Sequence, residues 1–144
     1  MELLPSAHAD TFARDRLPPA GQWPELVFDI DDVRYPARLN CARELMRVAA
    51  GDPGRRCLVG GAETLTYGEL DRRSDQVAAV LAGELGVVPG NRVMLCGPNS
   101  PWLVACWLGV LKAGGVAVTV VPLLRSEQIA TVAGIAEVTL ALCA

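Results

Sequence analysis

The chain has 144 residues, of which 51% are hydrophobic and 20% charged, so it holds enough apolar side chain for one packed domain and disorder is excluded. Its formal net charge is −3, and Arg55-Arg56 and Arg72-Arg73 are its only basic doublets, which is no footprint for nucleic acid.

In chain order, residues 1–36 are predicted to be a leader lying on the domain. Pro5, Pro18, Pro19, Pro24 and Pro36 break any long element, and Trp23 and Phe28 are expected to pin the segment to the surface. Asp29, Asp31 and Asp32 lack the glycine and distal glutamate of a calcium loop and are expected to form a solvated turn. The start of the chain, MELLPSAHADTF, carries neither the basic region nor the long apolar core of a secretory signal, so a cytoplasmic location is expected. The domain proper, 37–144, begins with a helix that Asn40 caps, with Leu45, Met46 and Ala49 on its apolar face and a Gly51-Asp52-Pro53-Gly54 stop. RCLVGGAETLT predicts a β-hairpin turning at Gly60-Gly61.

Thr66 and Glu69 stand at capping-box spacing, with Leu65 and Leu70 at staple positions, so a helix starts there. Leu70, Val77, Leu81 and Leu85 line its buried face, Asp71, Arg72 and Asp75 lie off it, and Gly86 ends it. Glu69 is structural in this setting. Arg92–Cys96 predicts a buried strand, and Gly97-Pro98-Asn99-Ser100 connects it to the next helix.

That helix belongs to the most apolar stretch, SPWLVACWLGVLKAGGVAVTVVP from Ser100 to Pro122. Ser100 caps it, Pro101 occupies the first helical position, Lys112 suits the negative end of the dipole, and Gly114-Gly115 stops it. The composition then becomes β-branched. A helix apolar on every face followed by a strand without alternation predicts a buried helix feeding a central strand of a parallel sheet. A membrane span is excluded, because a lysine, a glycine pair and a proline interrupt the run. Ser126 caps a further helix with Ile129, Val132 and Ala133, Gly134 stops it, and Val138–Cys143 forms a last strand. The β-α-β-α-β order from Arg92 predicts an α/β fold: a partial Rossmann-like parallel sheet flanked by helices, with a short N-terminal β-hairpin.

Few residues suggest chemistry. Cys41, Cys57, Cys96, Cys106 and Cys143 are odd in number and form no CxxC pair, and His8 is the only histidine, so buried inert thiols in a reducing compartment are expected rather than metal ligands or disulfides. The Gly97–Ser100 loop meets a helix N-terminus, where anions bind, but it carries no phosphate-loop pattern and is expected to be a plain connection. Lys112 has a helix-end role without catalysis. No nucleophile, paired-acid or metal constellation assembles, so no catalytic, cofactor-binding or metal-ligating residue is assigned.

LTYGEL at Leu65–Leu70 and LKAGGVAVTVVP at Leu111–Pro122 resemble the first two core motifs of the adenylate-forming (AMP-binding) acyl-CoA synthetase superfamily. The resemblance covers about residues 35 to 144. YPARLNCARELM and PLLRSEQI are most similar to the aryl-CoA ligase branch, near benzoate- and 2-aminobenzoate-CoA ligases. VTVVPLL departs from the tyrosine and aspartate that peptide-type adenylation domains carry around the same proline.

The resemblance implies ATP, Mg²⁺ and CoA as cofactors and an aromatic or fatty carboxylic acid as substrate. The acid attacks the α-phosphate of ATP, and CoA then displaces AMP. The family's phosphate loop, ribose-binding aspartate, hinge and C-terminal lysine have no matching positions in this sequence. It therefore reads as the N-terminal fragment of such a ligase, inactive alone, and its ending inside the apolar run VTLALCA fits that expectation. The alternative is a non-catalytic binding or assembly module that kept the scaffold and self-associates through the exposed edge of its final strand. A nucleotide-binding α/β domain of another family would require ATP binding by this chain alone.

Overall fold

Residues 5–25, 27, 30–31, 34–60 and 63–143 are described in a computed structural model of the chain. The first elements are α1 (Phe12–Asp15) and a 3₁₀ turn at Ala20–Gln22. Then follow α2 (Cys41–Leu45), α3 (Arg47–Gly51), β1 (Arg56–Gly60), β2 (Glu63–Thr66), α4 (Tyr67–Gly83) and β3 (Arg92–Cys96). The chain continues through α5 (Pro101–Lys112), β4 (Val116–Val120), α6 (Ser126–Ile135) and β5 (Leu140–Cys143).

The α/β architecture is as expected. β1 and β2 form an antiparallel hairpin, while β3, β4 and β5 form a parallel sheet in the order β4-β3-β5. β3 pairs Arg92 with Val116 through Cys96 with Val120 on one side, and Val93 with Leu140 through Cys96 with Cys143 on the other. β3, not β4, is therefore the central strand, and Arg92 to Leu95 are all buried. β4 lies at an edge among the described residues, and its exposed Thr119 reflects that.

Local signals set most element starts. The Thr66 hydroxyl accepts from the Glu69 N–H at 3.2 Å, and the Glu69 carboxylate accepts from the Thr66 N–H at 2.8 Å, completing the capping box. The Thr66 N–H, and the Thr66 hydroxyl donating to the same carboxylate at 2.9 Å, hold the Glu69 carboxyl below its usual range, so it stays ionised as a structural group. Ser100 Oγ accepts from the Leu103 N–H at 3.1 Å, and Gly114 takes φ +80°, which a glycine adopts without strain.

Several expectations need correction. The helix after Asn40 breaks at Met46 into α2 and α3, and Leu45 is 57% exposed while Ala42, Met46 and Ala49 are buried. Leu85 is also exposed, because α4 stops at Gly83 before the fourth residue of the stripe is reached. The face of α5 is not apolar burial all round: Trp102 and Trp107 are exposed opposite buried Ala105, Leu108, Gly109 and Val110.

The last helix runs past Gly134, and the left-handed residue after it is Glu137 at φ +49°. Its N-cap is Arg125, whose N–H donates to Gln128 Oε1 at 2.9 Å, with Ser126 already helical. The final strand begins at Leu140 rather than Val138.

The cysteines are not uniformly buried: Cys41 and Cys143 are exposed, and the other three are half-buried. Phe28, Asp29, Asp32, Gly61 and Ala144 lie outside the described residues.

Two apolar clusters make the core. One joins Ala42, Met46 and Ala49 to Leu65, Leu70, Ala105 and Leu108 between α2, α3, β2, α4 and α5. The other joins Leu81, Val87 and Val110 to Val93 and Leu95 on one face of the parallel sheet, with Leu140 and Leu142 beside them.

Candidate functional site

The carboxyl ends of β3 and β4 open into a shallow cleft of about 280 Å³. The Gly97–Asn99 loop and Leu103 line one side, and Thr119 to Leu123 line the other. In an open parallel sheet this is where ligands bind, since helix N-termini and loops converge there. The lining groups here are apolar or neutral, and they include no cation to meet a triphosphate and no carboxylate to hold Mg²⁺. They do not fit a nucleoside triphosphate. The N-terminus of α5 points to the same end, but Ser100 already satisfies the Leu103 N–H.

Lys112 sits at the opposite end of α5. Its side chain is 2% exposed, and Nζ donates to Asp71 Oδ1 at 2.6 Å, Asp75 Oδ1 at 2.7 Å and Asp71 O at 3.1 Å. Three acceptors exhaust the three ammonium protons. The lysine is thus a cross-brace between α5 and α4, and it has no lone pair or free proton to offer a substrate. Asn40 strengthens the same corner: its Oδ1 accepts from the Arg43 N–H at 3.1 Å, and its Nδ2 donates to the Leu111 carbonyl at 2.8 Å. One side chain therefore caps the start of α2 and the end of α5.

α4 and α5 also approach closely along their length. Ser74 is fully buried and folds its hydroxyl onto Asp71 O at 2.9 Å, and Gly109 faces it. A β-carbon on Gly109 would lie 2.5 Å from Val77 Cγ1 and 3.1 Å from Ser74 O.

A second buried charge organises the amino ends of the sheet. Arg92 is 7% exposed and donates to the Asp10 carboxylate, to Gly90 O at 3.0 Å, to Ala136 O at 2.8 Å and to Glu137 O at 3.2 Å. Phe12 lies 4.2 Å beneath the guanidinium, and Asn91 Nδ2 adds a bond to Asp10 at 2.9 Å. Arg92, the Phe12 N–H and Asn91 hold the Asp10 carboxyl down at about 2.

The N-terminal segment is anchored here, by Asp10 and Phe12. Trp23 instead donates to Pro18 O within its own segment, at 2.7 Å. Neither Asp10 nor the Arg92 side chain stands out as a structural anchor in the sequence. An arginine opening an otherwise apolar strand was the available signal, since a buried guanidinium needs a carboxylate somewhere.

Neither buried cation lies beside the cleft, and among the described residues no cluster of three or more His, Cys, Asp or Glu could hold a metal ion. No described helix is long and apolar enough to cross a membrane.

The sequence profile of the AMP-binding enzyme family matches residues 45–144. The chain belongs to this family. A linear gramicidin synthase of Brevibacillus parabrevis is 38% identical over 108 residues, covering 75% of this chain and 2% of that protein. The salicyl-AMP ligase / salicyl-S-ArCP synthetase of Mycobacterium tuberculosis is 38% identical over 93 residues, covering 65% of this chain and 16% of the ligase.

The structure of a benzoate CoA ligase from Burkholderia xenovorans LB400 superposes with a TM-score of 0.70 and 27% identity, over 74% of this chain and 22% of that one. The N-terminal subdomain of Klebsiella oxytoca NpsA shares the fold with a TM-score of 0.65 at 24% identity, over 73% of this chain and 27% of that one. The chain thus spans a small share of each of these relatives. What it covers are two motif segments packed together: LTYGEL opens α4, and the lysine of LKAGG braces α5 to that same helix.

Proposed function

We propose that this chain is the N-terminal scaffold of an ATP-dependent acid–thiol ligase of the aryl-CoA type, and that it has no ligase activity by itself. In this reading residues 1–36 are a docked leader and 37–144 an incomplete subdomain, working in the cytoplasm. The reacting groups, and the sites for ATP, Mg²⁺, CoA and the carboxylic acid, lie on parts of the enzyme beyond these residues. The observation that carries the proposal is the use of both buried cations as braces. All three Lys112 ammonium protons and four of the five Arg92 N–H donors go to protein acceptors, so both cations are committed to the scaffold rather than to offsetting phosphate charge.

The aryl branch is supported by the benzoate CoA ligase likeness and by VTVVPLL, while the likeness to the linear gramicidin synthase supports an amino-acid-activating second reading. Pyrophosphate exchange tests the scaffold role that both readings share. The chain alone is expected to show no ATP–pyrophosphate exchange with benzoate, 2-aminobenzoate, a fatty acid or any amino acid, and any such exchange would refute the scaffold role. Grafted in place of the corresponding segment of the benzoate CoA ligase, it is expected to support exchange with benzoate. A folded hybrid without exchange would count against equivalence of the two scaffolds.

A further inference from the structure

The parallel register sets two thiols side by side that the sequence keeps far apart. Cys96 closes β3, Cys143 closes β5, and the two are register partners. Val93 and Leu140, and Leu95 and Leu142, are also partners, and all four belong to the cluster under α5. Side chains alternate along each strand, so Cys96 and Cys143 project together from the opposite face. Cys96 is half-buried and Cys143 exposed, so a small reagent reaches the pair.

We propose that Cys96 and Cys143 form a vicinal thiol pair that closes, by exchange with a low-molecular-weight disulfide, into a reversible bond tying β5 to β3. Neighbouring strands lie about 4.8 Å apart, inside the roughly 4.4–6.8 Å window of Cα separations that disulfides span. Parallel β-carbons stand slightly wider than the ~3.8 Å mean of a bridged pair, so closure must draw the strands together.

A bond made under such strain, near the surface, falls in the easily reduced class rather than the permanent one. In the reaction one protein thiolate attacks a sulfur of RSSR, forming a mixed disulfide and releasing one thiol. The second protein thiolate then displaces the other. Two protein thiols are oxidised, one RSSR is reduced to two RSH, and the two protons leave on them. Cys106 is no competitor, since it packs on the other face of the sheet and burial pushes its thiol up, leaving little thiolate.

The test is oxidation of the reduced full chain with oxidised glutathione, then alkylation of the remaining thiols and peptide mapping without reductant. The expected product is a Cys96–Cys143 linked peptide, about 2 Da lighter than its two reduced parts and restored by dithiothreitol. Cys143→Ser should lose the link and carry glutathione on Cys96 instead. The same oxidation of wild type in urea should scatter links among all five cysteines. Glutathione adducts on Cys96 or Cys143 without a link, native links to Cys41 or Cys57 in their place, or identical link patterns with and without urea would each overturn the proposal.

Discussion

Asp10 illustrates how a residue in a proline-broken N-terminal segment becomes tied to the sheet through a buried arginine. Its carboxyl is shifted from 3.8 down to about 2 by the Arg92 hydrogen bond first, then by the Phe12 N–H and Asn91. A depressed carboxylate stabilises the folded state above its unfolded pKa and loses that contribution as pH falls through the folded one. The difference in denaturation midpoint between wild type and Asp10→Asn should therefore be constant at neutral pH, shrink below pH 3.8 and disappear as pH falls through about 2. A difference unchanged at pH 2 would contradict the ion pair. Arg92→Met strips partners from the Asp10 carboxylate and from the Ala136 and Glu137 carbonyls, and should lower the urea-unfolding midpoint by more than Asp10→Asn does.

Gly109 is the other position where one atom decides. Alanine there overlaps Val77, and Gly109→Ala should cost about 1–3 kcal/mol. Adding Val77→Ala makes room, so the double variant should lose less stability than the two single losses summed.

Between elements, the joint of α4 with α5 combines a close backbone approach with a charged brace. Lys112→Met keeps the buried stem and frees two partly exposed carboxylates to hydrate, so it should cost no more than about 1 kcal/mol. Lys112→Ala removes the stem as well and should cost more, about 2 kcal/mol or above. Equal losses for the two variants would mean that charge, not packing, sets the joint. At the start of α4, Thr66→Ala removes the hydroxyl that caps Glu69 N and should cost about 1 kcal/mol by thermal or urea unfolding. The rim of the cleft beyond β4 contrasts with this joint: Leu123 is 91% exposed.

Across the whole molecule, stability is graded from one side to the other. β3, α5 and the hairpin share the two clusters, whereas neither α6 nor β5 contributes a fully buried residue. Opening of the α6–β5 end should therefore need less free energy than opening of the centre. Hydrogen exchange read by mass spectrometry should label Leu140–Cys143 and α6 well before Arg92–Cys96 and α5. The Arg92 bonds to Ala136 and Glu137 restrain that end, so Arg92→Met should quicken exchange there more than in the hairpin.

The order of amino acids was enough to specify the α/β class, the hairpin, the Thr66–Glu69 box, the Ser100 cap and the helix-to-strand change at Gly114. It also carried the motifs that place the chain among AMP-binding enzymes. Each of these structural features closes within a few residues, through hydrogen bonds or backbone angles that local composition dictates. The folded arrangement alone reveals which strand is central, why Leu45 and Leu85 fall outside the core, and which carboxylates serve Lys112 and Arg92. The same arrangement stands Cys96 beside Cys143. Those outcomes depend on where crossovers return the chain, and a charge or thiol has no periodicity that reveals its partner at long range. Long-range pairing likewise commits both buried cations to the scaffold, because a desolvated charge is held wherever the fold supplies acceptors for it.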